Sequence, residues 1–467
     1  MTDRKDPPFQ FASFQQAVEF LEIAIDYEKR IAWKYTDKTF DLRRMDELLA
    51  ELGDPHRRLR VIHIAGTKGK GTTAALLEAC LRGAGYRTGL HTSPHLVSVC
   101  ERMIVDGQAI AESEFCRQLA DVRGYIDRKR RASRNDAPTY FETTTALAFK
   151  YFHEQKVDWA VVEVGLGGRL DSTNVLTPRC CVISPIGFDH MDKLGETLDK
   201  IAGEKAGIIK QGVPVVLAKQ PYPDALRVLR ERADSLGCPR WEVGREVSVA
   251  RMEALSAPVD DPEAQVGWRF SIRTPERTYA GLFTPLLGAH QVENCATAIA
   301  ALEVLRERGE LEVEPDDVAR GIAGCQWPAR VELLQRRPAL VLDAAHTVES
   351  MAALMAALQT HFPGRGLRFV FGCSAGKNHQ AMLGLMAPRC QSLIATQADS
   401  PRAIPAPEIA DAARTAGIGA VRAVADPPEA VRTALREAGP DEVVCVTGSF
   451  FVAGEVRHAW EQGKLLN

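Results

Sequence analysis

The chain has 467 residues, of which 45% are apolar and 25% are charged, a balance typical of globular proteins. It has 58 Lys and Arg residues and 61 Asp and Glu residues, which give a net charge of -3. This charge does not favour binding to nucleic acid or to an anionic membrane. No stretch reaches the roughly 18 apolar residues of a membrane span, and the N-terminus lacks the pattern of a signal peptide. The eleven scattered cysteines form no C-x-x-C pair, which argues against a zinc ribbon or a disulfide framework and favours the reducing cytoplasm.

Short β-branched runs alternate with longer helical patterns in the first part of the chain. Leu59 to Ala65 predicts a buried strand, and residues 72–84 carry apolar side chains at helical spacing until Gly85 ends the pattern. Further buried strands are predicted at residues 86–91, 157–164, 180–184 and 213–217. This alternation indicates a parallel sheet covered by helices on both faces. We expect the basic run at residues 128–131 to lie in a solvated loop.

The pattern changes twice in the second half. Residues 266–272 and 278–283 have mixed polarity and flank Pro275, which predicts an antiparallel hairpin appended to the sheet. Residues 289–305 then predict a helix. The pattern breaks near Pro328, where we place a domain boundary. Beyond it the alternation restarts, with strands predicted at residues 340–342, 367–371, 392–396 and 443–447.

The strongest local signal is a glycine-rich segment between the first predicted strand and the following helix. Glycines let the backbone turn its N–H groups toward phosphate oxygens, and the N-terminus of a helix adds a favourable dipole. Lys70 would neutralise phosphate charge and a Thr hydroxyl would reach Mg²⁺. Gly71 separates Lys70 from Thr72, so the spacing is not the standard one, and an ordinary turn is the alternative. The predicted phosphate-binding residues are Gly66, Thr67, Lys68, Gly69, Lys70, Gly71 and Thr72.

This segment is similar to the G-T-N-G-K-G-[ST] loop of folylpolyglutamate synthases and dihydrofolate synthases. These enzymes belong to the Mur ligase superfamily of ATP-dependent, amide-forming enzymes. The resemblance covers about residues 15–457, because further segments match in the family's order. They are Thr92–Leu96, Glu163–Asp171, Asp189–His190, Glu204–Ile209, Asn294, Pro328–Arg330, Asp343–His346 and Thr447–Ser449.

The predicted fold class is α/β, in two domains. A P-loop-type parallel-sheet domain with appended antiparallel strands is expected over residues 1–328, and a smaller Rossmann-like α/β domain over residues 329–467. The resemblance implies a cytoplasmic monomer that uses ATP and two Mg²⁺ ions and allows for a K⁺ site. It implies addition of L-glutamate to the γ-carboxylate of a tetrahydrofolate (poly)glutamate through an acyl phosphate, with dihydropteroate as a further acceptor. Its partners would be small-molecule substrates.

Five residues form the predicted metal site. Glu163 ends an apolar strand at the carboxyl edge of the sheet, and its carboxylate suits Mg²⁺, with a structural ion pair as the alternative. The resemblance implies that Thr72, Ser93 and His190 lie beside the metal, although a turn hydroxyl and a loop histidine are otherwise unremarkable. Lys205 reads as a surface lysine by itself. In the family the matching lysine is commonly carbamylated, and because a carbamate forms on the neutral amine, we expect Lys205 to be a modified metal ligand.

The resemblance also implies nucleotide contacts in the second half. Asn294 and Arg330 match positions that hold the nucleotide, and Asp343 and His346 match residues that face ATP from the second domain. Arg330 lies beside the boundary, where a guanidinium can stabilise phosphate charge as two domains close. The predicted catalytic residues are Lys70, His190, Lys205 and Arg330.

Phe141, Glu142 and Thr143 resemble the family's F-E-F-x-T segment near the pterin-bearing substrate, where an aromatic ring can stack on a flat ring. With Asp171 they form the predicted folate site. Thr143 replaces the usual Phe, and Lys68 replaces the usual Asn of the phosphate loop and adds a charge. A Mur-type ligase of cell-wall precursors and a non-catalytic nucleotide-binding paralogue are the alternative functions.

Overall fold

The computed structural model describes residues 9–27, 35–36, 39–133, 135–257, 261 and 263–465. These residues group into two compact units. The first contains the described residues up to 248 together with residues 272–278 and 293–322, and the second contains residues 249–271, 279–292 and those from 323 onward. The division into domains at residues 328 and 329 stays a prediction. Among the described helices, none combines the length and the apolar character that a membrane crossing requires.

The first unit is built on a mainly parallel sheet. Its described strands are β1 (Val61–Ala65), β2 (Thr88–His91), β3 (Ile104–Val105), β4 (Gln108–Ala109), β5 (Trp159–Glu163), β6 (Cys180–Ile183), β7 (Val215–Leu217) and β8 (Arg240–Glu242). They are ordered β4-β3-β2-β5-β1-β6-β7-β8, and only the pairings that involve β3 and β4 are antiparallel. Every residue of β1 and β5 is buried, so helices and loops cover both faces, as the apolar runs predict.

The described helices that begin in this part of the chain are α1 (Phe14–Glu22), α2 (Leu42–Glu51), α3 (Lys70–Gly83), α4 (Glu112–Ala132), α5 (Tyr140–Glu154), α6 (Met191–Leu194), α7 (Leu198–Lys205), α8 (Pro223–Ser235), α9 (Ala289–Glu307) and α10 (Pro315–Gly324). Helix α3 packs against β1, β2 and β5. Apolar side chains of α1, α2, α4 and α5 form one core cluster, and those of α7 and α8 form another.

The loop prediction for residues 128–131 was wrong, because these residues form the last turn of α4. Phe115, Leu119, Val122 and Ile126 recur at helical spacing and are buried, which leaves the charged side chains on the solvent face. Basic residues in a last turn also interact favourably with the helix dipole.

The predicted hairpin is present, in a sheet of its own. It comprises β10 (Gly267–Arg273) and β11 (Thr278–Thr284), which follow β9 (Ser248–Leu255) in a three-stranded sheet of the described chain, ordered β11-β10-β9. The Thr274 N–H donates to the Arg277 carbonyl at 2.9 Å and closes the turn. Exposed residues recur along β9 and β11, so these strands do not extend the fully buried parallel sheet.

The second unit has its own α/β sheet, as the sequence predicts. Its described strands are β12 (Glu332–Arg336), β13 (Ala339–Leu342), β14 (Leu367–Phe371), β15 (Cys390–Ala395), β16 (Val421–Ala423) and β17 (Val443–Thr447), in the order β12-β13-β17-β14-β15-β16. Only β12 is antiparallel to its neighbour. The helices are α11 (Val348–His361), α12 (His379–Met386), α13 (Ala406–Thr415), α14 (Pro427–Glu437) and α15 (Phe450–Glu461). Strand β17 lies between β13 and β14, so the chain returns across the sheet after β16.

Candidate active site

Three loops of the first unit meet at the carboxyl edge of its sheet, because β1 lies between β5 and β6. Ile64 is opposite Glu163, and Ala65 is opposite Ile183, so the chain leaves the three strands at nearly the same level. The glycine-rich segment follows β1, a second glycine-rich segment follows β5, and the Asp189–His190 motif follows β6. The predicted site therefore assembles where this class of sheet binds ligands.

Two glycines of the first segment are required by close contacts. Gly66 has φ 147° and Gly69 has φ 80°, both in the region that favours glycine. A Cβ on Gly66 would lie 1.9 Å from Ser184 Oγ, and a Cβ on Gly69 would lie 2.6 Å from Asn294 Oδ1. The structure thus brings Asn294, which was selected from the resemblance alone, against the phosphate loop.

Helix α3 begins at Lys70, directly after the loop, and its capping residue Gly69 has no side chain to satisfy the first N–H groups. Thr72 and Thr73 in its first turn are buried, and Thr73 Oγ1 has no hydrogen-bond partner among the described residues. Unsatisfied N–H groups and the helix dipole favour an anion at this position. Sequence reasoning did not select Thr73, although it stands next to Thr72 in the motif.

Backbone bonds fasten the phosphate loop to the segment after β6. The N–H groups of Thr67 and Lys68 donate to the Pro185 carbonyl at 3.0 Å and 3.2 Å. The Thr67 hydroxyl donates to the Gly187 carbonyl at 3.3 Å, and the Lys68 ammonium lies 2.9 Å from Asp189 Oδ2. Asp189 belongs to a matched motif but was assigned no role from the sequence.

Lys70, Glu163 and Ser93 converge although they are far apart in the sequence. Lys70 Nζ lies 3.8 Å from Glu163 Oε1, and the Ser93 N–H donates to Glu163 Oε2 at 3.2 Å. The side chain of Glu163 is 6% exposed and that of Lys70 is 17% exposed. A lysine and a carboxylate at the start of a phosphate loop can together hold a phosphate and a divalent cation.

Lys205 is buried at the end of α7 rather than exposed on the surface. The Arg169 N–H donates to the Glu204 carbonyl at 2.9 Å, and a Cβ on Gly168 would lie 2.9 Å from the Lys205 carbonyl oxygen. The second glycine-rich segment therefore packs directly on this helix end. Burial, followed by the nearby charge of Lys70, lowers the pKa of Lys205 to about 7. A large share of Lys205 is thus a neutral amine near neutral pH.

His190 lies at the surface of the loop after β6. Its side chain is 52% exposed, its φ is 50°, and its N–H donates to Asp189 Oδ1 at 3.0 Å. Within the described ranges no three His, Cys, Asp or Glu side chains are grouped to hold a metal ion. The predicted set has only Glu163 and His190 of these types. The Glu163 carboxylate and the Thr72 and Ser93 hydroxyls are oxygen donors of the kind that Mg²⁺ takes, and Mg²⁺ needs few protein ligands because it keeps several waters.

Glu142 and Thr143, predicted to contact folate, make their contacts within the fold. The Arg44 guanidinium donates from Nη2 to Glu142 Oε1 at 2.7 Å and from Nε to both carboxylate oxygens. The Thr139 N–H donates to Glu142 Oε2 at 2.8 Å, and the Thr143 hydroxyl donates to the Thr139 carbonyl at 2.9 Å. Both side chains are buried, and their contact with folate stays a prediction.

Phe141 of α5 packs against the start of the second glycine-rich segment, at Gly165, and Asp171 lies at the end of that segment. The Phe141 ring is partly exposed, and a Cβ on Gly165 would lie 2.6 Å from it. The buried Asp171 carboxylate accepts the N–H groups of Leu166 at 2.9 Å and Thr173 at 3.0 Å, and burial raises its pKa. Asp171 therefore shapes the segment, and Phe141 presents an aromatic surface beside it.

In the second unit, Asp343 holds the chain around Arg330. Asp343 Oδ2 accepts the Val331 N–H and Oδ1 accepts the Ala345 N–H, each at 2.8 Å. Ala329 and Val331, on either side of Arg330, have φ of 53° and 50°. A β-branched residue is rare in this conformation, so the carboxylate stabilises a strained segment. Burial raises the pKa of Asp343, and the Arg330 charge opposes that effect.

Arg330 and His346 share one aromatic neighbour. The Arg330 guanidinium carbon lies 4.9 Å from the centre of the Phe450 ring, and the His346 ring lies 5.9 Å from it. His346 Nδ1 is 2.9 Å from the Ala344 carbonyl, an arrangement in which Nδ1 carries the proton and leaves Nε2 as an acceptor. Arg330, Asp343 and His346 therefore assemble near the end of β13. Phe450, which sequence reasoning missed, contacts Arg330 and His346.

Comparison with known proteins identifies this arrangement. The family models of the Mur ligase middle domain and the Mur ligase glutamate ligase domain match residues 64–302 and 329–450. The dihydrofolate synthase/folylpolyglutamate synthase of Bacillus subtilis is 35% identical, over 89% of this chain and 94% of that protein. Folylpolyglutamate synthase of Mycobacterium tuberculosis, complexed with ADP and AMPPCP, has a TM-score of 0.84 at 30% identity, covering 96% of this chain and 98% of its own. A folylpolyglutamate synthase complex with AMPPCP and folate has a TM-score of 0.80 at 31% identity, covering 96% and 99%.

The fold is thus that of the Mur ligase superfamily, ATP-dependent ligases that form amide bonds. The chain belongs, within that superfamily, to the folylpolyglutamate synthase and dihydrofolate synthase family. The resemblance drawn from the sequence motifs and the predicted fold class are both confirmed.

Proposed function

We propose that this enzyme uses ATP to add L-glutamate to the γ-carboxylate of a tetrahydrofolate (poly)glutamate. The observation that carries the proposal is the meeting of Lys70, Glu163 and Ser93 at the end of the phosphate loop, with Lys70 Nζ 3.8 Å from Glu163 Oε1. The relatives support the choice of substrate, since a complex of one of them contains AMPPCP and folate.

The chemical barrier is mainly one of charge, because an anionic carboxylate must approach an anionic triphosphate. The N–H groups at the start of α3 and the Lys70 ammonium hold the phosphates. A γ-carboxylate oxygen attacks the terminal phosphorus, the bond to ADP breaks, and an acyl phosphate forms. The neutral amine of glutamate then attacks the acyl carbon. Phosphate leaves, the amine loses a proton, and the amide is complete.

Glu163, Thr72, Ser93, His190 and a carbamylated Lys205 would hold two Mg²⁺ ions beside the phosphate loop. Bound Mg²⁺ supplies shielding of the phosphate charge. The burial of Lys205 supports its modification, because a neutral amine reacts with CO₂ to give the carbamate that can ligate a metal. Mass spectrometry of the protein in bicarbonate tests this assignment, and an unmodified Lys205 would contradict it.

We assign nucleotide contacts to Asn294, Arg330, Asp343 and His346, with Arg330 stabilising phosphate charge. The contact between Asn294 and the phosphate loop supports the first of these. The pterin ring is assigned to the exposed face of Phe141, on which a flat ring can stack. Glu142, Thr143 and Asp171 complete this site by holding its backbone. We further propose that the enzyme is a cytoplasmic monomer and that K⁺ serves as an additional cation.

A second activity, dihydrofolate synthase, uses the same acyl-phosphate chemistry with dihydropteroate as acceptor. The Bacillus subtilis relative, whose name includes both activities, favours it. A phosphate-release assay with ATP, glutamate and either tetrahydrofolate or dihydropteroate tests both. Release with tetrahydrofolate establishes the first activity, and release with dihydropteroate establishes the second. Release only with a muramyl nucleotide would indicate a cell-wall ligase. Release that none of these acceptors stimulates would indicate a non-catalytic nucleotide-binding paralogue.

A further inference from the structure

Lys68 lies in the phosphate loop, and the structure gives its charge a specific partner. The Lys68 ammonium lies 2.9 Å from Asp189 Oδ2, with side-chain exposures of 39% and 17%. This distance is that of a direct, charge-assisted hydrogen bond. The partly buried setting screens the pair less than a fully exposed one.

The ion pair extends a contact that the backbone begins. Thr67 and Lys68 donate their N–H groups to the Pro185 carbonyl, and the Thr67 hydroxyl reaches the Gly187 carbonyl. These bonds align the phosphate loop with the first residues after β6. The Lys68 side chain carries this alignment on to Asp189.

Asp189 uses its other oxygen at the next residue. Asp189 Oδ1 accepts the His190 N–H at 3.0 Å, and His190 has φ 50° and ψ 37°. A histidine adopts this left-handed conformation only where the surroundings stabilise it. A carboxylate whose first oxygen is fixed by Lys68 presents the second to this N–H in one orientation.

The two lysines of the loop also have different partners. Lys70 Nζ lies 3.8 Å from the carboxylate of Glu163 at the end of β5, whereas Lys68 is bonded to the segment after β6. Only Lys70 stands at the first position of α3, where phosphate charge is expected.

We infer that Lys68 is a positioning residue rather than a phosphate ligand: through Asp189 it sets the backbone at His190. The inference rests on the proposed function in one respect: the purpose of this positioning is to align His190 with bound Mg²⁺.

A double-mutant cycle tests the inference with two readouts. Lys68→Met, Asp189→Asn and the double variant are compared with the wild type by hydrogen exchange of the His190 amide, without ligands, and by the Mg²⁺ concentration for half-maximal phosphate release. Each single change is expected to raise the exchange rate of the His190 amide and the required Mg²⁺ concentration about tenfold. The double variant is expected to raise both by about tenfold as well, because the two changes break the same interaction. Lys68→Arg, which keeps the charge, should restore most of the wild-type behaviour.

Lys129→Met is the matched control, since Lys129 forms a partly buried ion pair with Glu47 on a different part of the unit. It should change neither readout. Independent effects that multiply to about a hundredfold in the double variant would overturn the inference. So would a Lys68→Met protein with a raised KM for ATP and unchanged exchange at His190, which is the signature of a phosphate ligand, or one with a lower Tm and neither readout changed.

The exchange readout needs no catalysis, which separates the two proposals. The positioning role would be supported, and the proposed function refuted, by one combination of results. In it, the double variant changes His190 exchange no more than each single variant does, and no acceptor stimulates phosphate release by the wild type. Phosphate release by the wild type with tetrahydrofolate, combined with single-variant effects on His190 exchange that multiply in the double variant, would support the proposed function and refute the positioning role.

Discussion

Replacing Glu142 with Gln separates a structural role from contact with folate. In the structure the Arg44 guanidinium makes three hydrogen bonds to Glu142, and the side chains of Arg44 and Glu142 are 6% and 5% exposed. Glu142→Gln removes the negative charge and leaves a buried cation without its neutralising partner. Breaking one side of such a buried pair costs about 3–5 kcal/mol. At about 2–4 °C per kcal/mol for a domain of this size class, Tm should fall by roughly 6–20 °C.

Differential scanning calorimetry of the protein without substrates measures this change, and phosphate release at varied folate concentration gives KM. We expect the lower Tm with an unchanged KM for folate. The double variant Arg44→Met/Glu142→Leu is the control, because an apolar pair in the same space removes both charges and should destabilise less than either single change. An unchanged Tm with a raised KM for folate would refute the reasoning and place Glu142 in the substrate site.

Three further predictions concern the phosphate loop and its neighbours. Lys70→Ala should lower kcat by about 10²–10³-fold with Tm retained, because the charge beside the phosphates is lost; activity within about tenfold of the wild type would contradict the assignment. His190→Ala should raise the Mg²⁺ concentration for half-maximal activity, and an unchanged titration would exclude it as a ligand. Since burial and Lys70 lower the pKa of Lys205 to about 7, its ammonium predominates below that pH and its amine above. At equal concentrations of dissolved CO₂, reactivation after CO₂ removal should therefore be faster at about pH 8 than at about pH 6, and equal rates would argue against a carbamate.

Features that depend on local pattern were predictable from the sequence. Strand β1 and helix α3 occur where apolar runs and helical spacing place them, and Gly66 and Gly69 are required for the reason expected of a phosphate loop. Each of these depends on a few consecutive residues. The parallel sheet then places the ends of β1, β5 and β6 together, so the position of Glu163 at the edge follows from topology alone.

Features that depend on distant partners were not predictable in this way. Glu142 pairs with Arg44, and the two lie in α5 and α2, so nothing near Glu142 in the sequence indicates a buried ion pair. Asn294 was found only through the resemblance, since a single Asn in a helix carries no local signal. The burial of Lys205 was missed for the same reason, because its cover is the segment around Gly168.

The contact between Gly69 and Asn294 has a consequence for synthesis of the chain on the ribosome. The loop and α3 emerge early, whereas Asn294 lies in α9, far later in the sequence. A nascent chain that ends before α9 contains every described strand of the parallel sheet but lacks this part of the proposed nucleotide site. Ligand binding stabilises a folded state only once the binding site exists. If Asn294 contacts the nucleotide as proposed, ATP cannot contribute its full stabilisation to the first unit until α9 has left the exit tunnel, and the earlier part of the chain depends on its own core until then.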